Sequence, residues 1–293
     1  MQTNGANRQG IQWHFIPCRI RRRVAHILSN DRPRDSRFSS PFYRPPRAWR
    51  VADERGCWQI PGFGGNWAVR TADESGRSRV QEFVNSDELA AALAVSVAGA
   101  LRGRLAKQGQ AALAVSGGTT PVKFFEALSR TALDWARVRV TLVDDRCVPE
   151  ESPRSNARLL RAHLLQNDAA AAAFLPLIGA TEQDIAAFPL PFAAVVLGMG
   201  LDGHTASFFP GGDHLAQALA GERLLETMNA PGAGEPRLTL TLPTLIAADF
   251  TAVHIEGAAK LAVLREAQRP DGPDFPIRAV LARKPAPEIY WCP

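Results

Sequence analysis

The run Val195 to Pro210, Val-Val-Leu-Gly-Met-Gly-Leu-Asp-Gly-His-Thr-Ala-Ser-Phe-Phe-Pro, passes from a buried-strand pattern into a glycine-rich turn that presents Asp202 and His204 two residues apart. An imidazole titrates near neutral pH and can serve as a general base, and a nearby carboxylate can orient either the ring or the loop that carries it. A second segment, Leu113 to Pro121, repeats the design: an apolar strand, then Ser116-Gly117-Gly118-Thr119-Thr120, then a proline that opens a helix. Outward-pointing backbone N–H groups at such a turn, joined by the Ser116 and Thr119 hydroxyls, favour an anion. Together the two segments predict a phosphorylated substrate handled by one histidine.

More familiar motifs fit less well. Gly198-x-Gly200-x-x-Gly203 matches the dinucleotide fingerprint by letter, but Pro210-Gly211-Gly212 follows too soon for the long helix that motif requires. The chain has no G-x-x-x-x-G-K-[ST] phosphate loop and no G-x-S-x-G elbow to make Ser116 or Ser207 a nucleophile.

The elements that must position these turns alternate. Asn85-Ser86-Asp87-Glu88 reads as a helix start, with the helix running to about Lys107, followed by a strand at 111–115 and a helix at 121–130 opened by Pro121. A strand at 138–143, a helix at 154–165, strands at 174–178 and 193–197 around a short helix near Thr181, and strands at 237–242 and 250–255 come next. A helix at 257–268 and strands at 276–281 and 288–291 complete the pattern. Short apolar strands separated by helices predict an α/β fold, a doubly wound and mostly parallel sheet with helices on both faces. Ligands bind such sheets at the carboxyl ends of the strands, where the turns after 115, 143 and 197 would meet.

The net charge of +5 is unevenly spread: residues 1–78 hold 14 Arg, no Lys and 6 acidic residues, and the remainder is net −3. Residues 1–78 read as a basic N-terminal extension, disordered or non-native, and residues 79–293 as the catalytic domain. Arg21-Arg22-Arg23 has neither a groove-reading motif nor a stacking aromatic pattern beside it, so a solvated tail is favoured over a nucleic-acid arm. Cys18, Cys57, Cys147 and Cys292 lie far apart without C-x-x-C pairing, which argues against a zinc ribbon or a disulfide framework. No apolar run is read as long enough to cross a bilayer, and a soluble, cytoplasmic protein is expected.

Four segments together resemble the bacterial 6-phosphogluconolactonases: Ser116 to Pro121, Thr141-Leu142-Val143-Asp144-Asp145-Arg146 with Pro153-Arg154-Ser155-Asn156, Gly198 to Pro210, and Pro236 to Pro243. The resemblance covers about residues 80 to 293. Glucosamine-6-phosphate deaminases are broader relatives that share the Ser-Gly-Gly turn and a Gly-His loop. After the histidine they continue Ile-Ala-Phe-Asn-Glu-Pro with a Glu for ring opening, where this chain has Thr205-Ala206-Ser207-Phe208-Phe209-Pro210. Asp145, Thr119 and Phe208 depart from the lactonase pattern, which usually has Glu, Ser and Leu there, and none of the three changes removes a proton-transfer group.

The resemblance implies a glucosamine-6-phosphate deaminase-like fold and hydrolysis of 6-phospho-D-glucono-1,5-lactone to 6-phosphogluconate, in the oxidative branch of the pentose phosphate pathway. His204 would activate water, Asp202 would orient the imidazole ring or the loop that carries it, and Arg146 beside Asp144 would hold substrate and stabilise charge on the lactone oxygens. Ser116, Gly117, Gly118 and Thr119 would cradle the phosphate. Lys260, in a Gly-x-x-Lys element that binds phosphate in the deaminase relatives, and Arg237 would add cationic contacts. Asn156 either touches sugar or caps the helix that follows; His163, His214 and His254 carry no assigned role. The chemistry calls for no metal or cofactor. The expected partner is a small-molecule sugar-phosphate lactone, with no membrane or nucleic acid implied, and a monomer is compatible with the sequence. Two competing readings are a sugar-phosphate deaminase or isomerase, which would release ammonia, and a non-catalytic sugar-phosphate sensor with a DNA-binding N-terminus.

Overall fold

The computed structural model describes residues 78–293. The expected extension therefore lies outside the described residues except for Ser78, which is buried and whose carbonyl accepts from Gln268 Nε2 at 3.0 Å. In chain order the elements are β1 (Val80–Glu82), α1 (Ser86–Gln108), β2 (Ala111–Val115), α2 (Val122–Ser129), β3 (Val138–Leu142), β4 (Asp144–Arg146), α3 (Asn156–His163) and β5 (Ala173–Leu175). Then come α4 (Glu182–Ala186), β6 (Ala194–Leu197), α5 (Leu215–Ala220), β7 (Leu225–Met228), β8 (Arg237–Leu240), α6 (Leu242–Ile246), β9 (Phe250–Glu256), α7 (Ala258–Gln268), α8 (Ile277–Leu281) and β10 (Glu288–Cys292).

Seven strands form one parallel sheet in the order β1-β10-β9-β6-β2-β3-β5. From β2 the chain steps through α2 to β3 and on to β5. It then returns to the other side of β2 for β6 and continues outward to β9 and β10. The order thus reverses between β2 and β6, the place where the loops leaving two neighbouring strands part and open a crevice. The central strands β2 and β6 are buried along their whole length, which explains why they read as continuous apolar runs rather than as alternating ones.

Local chemistry sets the helix limits. Asn85 accepts from the Asp87 and Glu88 N–H groups to open α1, and Gly109, at φ 74°, closes it by donating to the Leu105 carbonyl. By length and composition α1 is apolar enough to cross a membrane, contrary to the expectation from sequence. Instead it packs on α2, β2 and β10, with Leu89, Leu93, Val97 and Leu101 fully buried. Each such leucine or valine contributes roughly 1.5–3 kcal/mol by leaving water.

Two corrections concern element type. Residues 276–281 were expected as a strand and form helix α8 after Pro276: Ile277 and Val280, three apart, are the fully buried pair, a helical spacing that a six-residue apolar run does not distinguish from a strand. The strand at 237–242 exists as β8 but lies outside the main sheet. It is the middle of a three-stranded antiparallel sheet, β4-β8-β7, that rises over the carboxyl edge of β3. Three charged or acidic residues, Asp144-Asp145-Arg146, make β4, and no periodicity announces them. The main sheet and this small one together bracket the crevice.

Candidate active site

A cavity of about 260 Å³ opens at the switch point. Its lining includes Ser116, Gly117, Gly118 and Thr119 after β2, Asp144 and Arg146 on β4, Asn156 at the start of α3, His204 after β6, Arg237 on β8 and Lys260 on α7. Ten of the expected site residues thus converge from six elements. Asp202 does not line the cavity; it reaches it through His204.

The loops are tied to one another before any ligand is considered. Ser116 Oγ accepts from the Gly198 N–H at 3.0 Å, joining the β2 and β6 turns, and Thr205 Oγ1 donates to the Gly198 carbonyl at 2.7 Å. Gly117 is required by close approach: a Cβ there would lie 2.1 Å from Asn156 Cγ. Ala206, in the tight turn between Thr205 and Phe208, holds φ 47°, a left-handed conformation that only a small or polar residue adopts at modest cost.

His204 is held on two sides. Its Nδ1 lies 2.5 Å from Asp202 Oδ1, and the same oxygen accepts from the His204 backbone N–H at 3.2 Å. The imidazole stacks on Phe209, with ring centroids 4.2 Å apart and planes 29° from parallel. With Nδ1–H donating to the carboxylate, the lone pair of the neutral ring is on Nε2, the nitrogen left for a water molecule. Phe209 also meets the Arg237 guanidinium, 5.3 Å from its centroid, so one aromatic ring sets both the base and a cation.

The cations are incompletely used. Arg146 Nη1 donates to the Arg154 carbonyl at 2.7 Å and to Asn156 Oδ1 at 3.2 Å, while its Nε is buried without a partner among the described residues. Arg237 Nη2 donates to the Ala233 carbonyl at 2.6 Å, and its Nε is likewise unpartnered. The two arginines face each other across the β4–β8 register. Burial pulls Arg237 below the usual guanidinium range, with Asp144, 3.8 Å away, opposing. Burial also lowers Lys260, and Glu256 opposes. Unpaired, buried N–H donors beside a cavity are the groups an anionic ligand would satisfy.

Asp144 accepts from the fully buried Ser207 Oγ at 2.6 Å, which leaves that serine structural. The helix cap is also settled: Ser155, not Asn156, is the N-cap of α3, and Asn156 turns its amide to the Asp144 carbonyl at 3.1 Å and to Arg146. Asp145, which the sequence marks only as a departure from the lactonase pattern, has a carboxylate that accepts from the Arg146 and Asn156 N–H groups at 2.8 Å and from that of Ala157 at 3.1 Å. Burial pushes its carboxyl above the ordinary value against the pull of those donors. Asp145→Asn is expected to turn one amide N–H against a backbone donor and to cost about 1–3 kcal/mol, read as a lower urea midpoint at unchanged slope.

Other residues missed from sequence are Phe209 and His254. His254 lines the cavity from β9. A lone histidine in an apolar strand gives no signal of its own; only Glu256, two residues on and therefore on the same face, hinted at a pair.

Residues 84–291 match the family model described as "Glucosamine-6-phosphate isomerases/6-phosphogluconolactonase". The chain belongs to this family. Among its relatives, a 6-phosphogluconolactonase of Mesorhizobium japonicum is 52% identical over 72% of this chain and 94% of its own length. One from Pseudomonas aeruginosa is 45% identical over 73% and 94%. The crystal structure of a 6-phosphogluconolactonase from Shewanella baltica superposes with a TM-score of 0.70 at 37% identity, covering 73% of this chain and 97% of that one. A monomeric glucosamine-6-phosphate deaminase, 17% identical with a TM-score of 0.57, shares the fold. As a family member the chain has the deaminase-like doubly wound fold expected from its sequence.

Proposed function

We propose that the protein hydrolyses 6-phospho-D-glucono-1,5-lactone to 6-phosphogluconate. The observation that carries the reading is the His204–Asp202 pair opening onto a cavity whose cations have unpaired donors. Water held at His204 Nε2 attacks the lactone carbonyl carbon as the imidazole takes its proton. Arg146, with Asn156 against it, supports the negative charge that develops on the carbonyl oxygen. The ring C–O bond then breaks, its oxygen takes the proton from the imidazolium, and the acid product ionises to release a proton to solvent.

The amides of Gly117, Gly118 and Thr119, ahead of α2, cradle the phosphate, and Lys260 and Arg237 neutralise it. Lys260→Met is expected to raise KM roughly tenfold to a hundredfold while kcat changes little, since the lost contact is present in ground and transition states alike. Between His204 and Pro210 the chain has no carboxylate to assist the sugar-ring opening a deaminase performs, which favours the lactonase. The deciding experiment follows proton release from freshly generated lactone at controlled pH. A rate equal to the spontaneous one in the presence of folded protein would overturn the proposal, and ammonia release from glucosamine 6-phosphate would replace it with the deaminase.

A further inference from the structure

His254 is 3% exposed, yet it belongs to the wall of the cavity, on the β9 side where Lys260 enters from α7. Its Nε2 lies 3.2 Å from Glu256 Oε1, so the neutral ring donates there and keeps its lone pair on Nδ1. That Nδ1 is buried and has no hydrogen-bond partner among the described residues. A buried, unsatisfied ring nitrogen in the wall of a ligand cavity calls for a reason.

The surroundings supply one. From its own strand the imidazole faces Glu256; α7 brings Lys260; α2 brings Lys123, which is paired to Asp87 at 2.8 Å; and α2 also sets the edge of Phe124 against the ring. On the neighbouring β10, Tyr290 stands opposite His254 in register with its hydroxyl bound to Glu288, and the Cys292 thiol stands opposite Glu256. The hydrogen bond from His254 holds Glu256 below the ordinary carboxylate value, with Lys123 and Lys260 adding to the effect, so the carboxylate is ionised already. The imidazole is therefore the group here with an open position for a proton, at Nδ1. A phosphate dianion drawn to Lys260 favours that proton, because it competes with Glu256 for the lysine and brings negative charge to a site where an imidazolium has a carboxylate beside it.

We propose that His254 takes up a proton from solvent when the substrate's phosphate enters the cavity, forming an imidazolium–carboxylate pair with Glu256 that strengthens phosphate capture. The inference rests on the reading of the cavity as a sugar-phosphate site. No covalent bond is made or broken apart from the new N–H. Coupling of this kind makes affinity for the phosphorylated ligand fall as pH rises above the imidazole range.

The test is titration calorimetry of the full-length protein with 6-phosphogluconate near pH 7.5, in two buffers of different ionisation enthalpy. Wild-type protein should take up close to one proton per chain more than His254→Gln, whose Kd should be about five- to tenfold weaker. A companion NMR titration on wild-type protein follows the ring identified by its contact with Phe124, so it stands even if the variant fails to fold. That signal should move to the imidazolium position on saturation. Equal proton counts, or a ring that stays neutral at saturation, would overturn the proposal and leave the lactonase reading intact. Absence of any 6-phosphogluconate binding to wild-type protein would overturn both.

Discussion

His204→Gln is expected to lower kcat for lactone hydrolysis by about 10²–10⁴-fold, the range that removal of a positioned general base produces. The variant keeps a planar polar side chain of similar reach but cannot accept a proton from water. Asp202, still fixed by the backbone N–H of residue 204, has no ring left to orient. Because the His204 side chain is 30% exposed, the fold loses little packing, and the urea midpoint should stay close to that of the wild type. Spontaneous opening of the lactone sets the floor, so the assay must subtract a protein-free rate. A variant that retains the wild-type rate would move the base elsewhere in the cavity. In the same series Asp202→Asn should lose less, since the imidazole remains and only its tautomer and orientation are weakened.

Gly200→Ala should separate geometry from stability. A Cβ at residue 200 would lie 2.3 Å from His204 Cε1 and Nδ1 and 2.6 Å from Asp202 Oδ1, between the two members of the pair. Both obstructing groups are side-chain ends, 30% and 44% exposed, so they can swing out toward solvent at little cost to folding. Swinging out breaks the 2.5 Å contact and lifts the ring from Phe209. The expected outcome is a fall in kcat of about 10²-fold, the scale of a displacement of about 1 Å in a positioned group, with the melting temperature nearly unchanged. A large drop in melting temperature together with the activity would show that the loop, and not only the pair, depends on glycine here. Gly203→Ala offers the contrast: φ there is 73°, and a Cβ would strike Phe275 at 2.5 Å, so backbone strain and a packed ring both oppose it.

Much of this site is legible in the chain itself. The apolar runs at β2 and β6 read as buried parallel strands because both faces of such a strand meet helices, and the Gly-rich turns after them place Ser116 and His204 at one sheet edge before any coordinates are seen. What sequence left open were relations between groups whose positions are fixed by different elements. Asp145 reads only as a departure from the lactonase pattern until α3 is seen to start on its carboxylate. Ser207 lacks a nucleophile motif in the sequence, and its hydroxyl proves to donate to buried Asp144.

The amino-acid sequence by itself determined most of the alternation of strands and helices and the glycine-rich turns that carry Ser116 and His204, because periodicity, capping and glycine placement are local properties of the chain. Only the tertiary structure decided that residues 276–281 form a helix, that 144–146 and 237–240 pair in a second sheet, that Phe209 serves both His204 and Arg237, and that His254 belongs to the cavity. Each of those depends on contacts between residues far apart in the chain, and a short apolar run, a charged three-residue strand or a lone buried imidazole takes its meaning from the partners that packing brings to it.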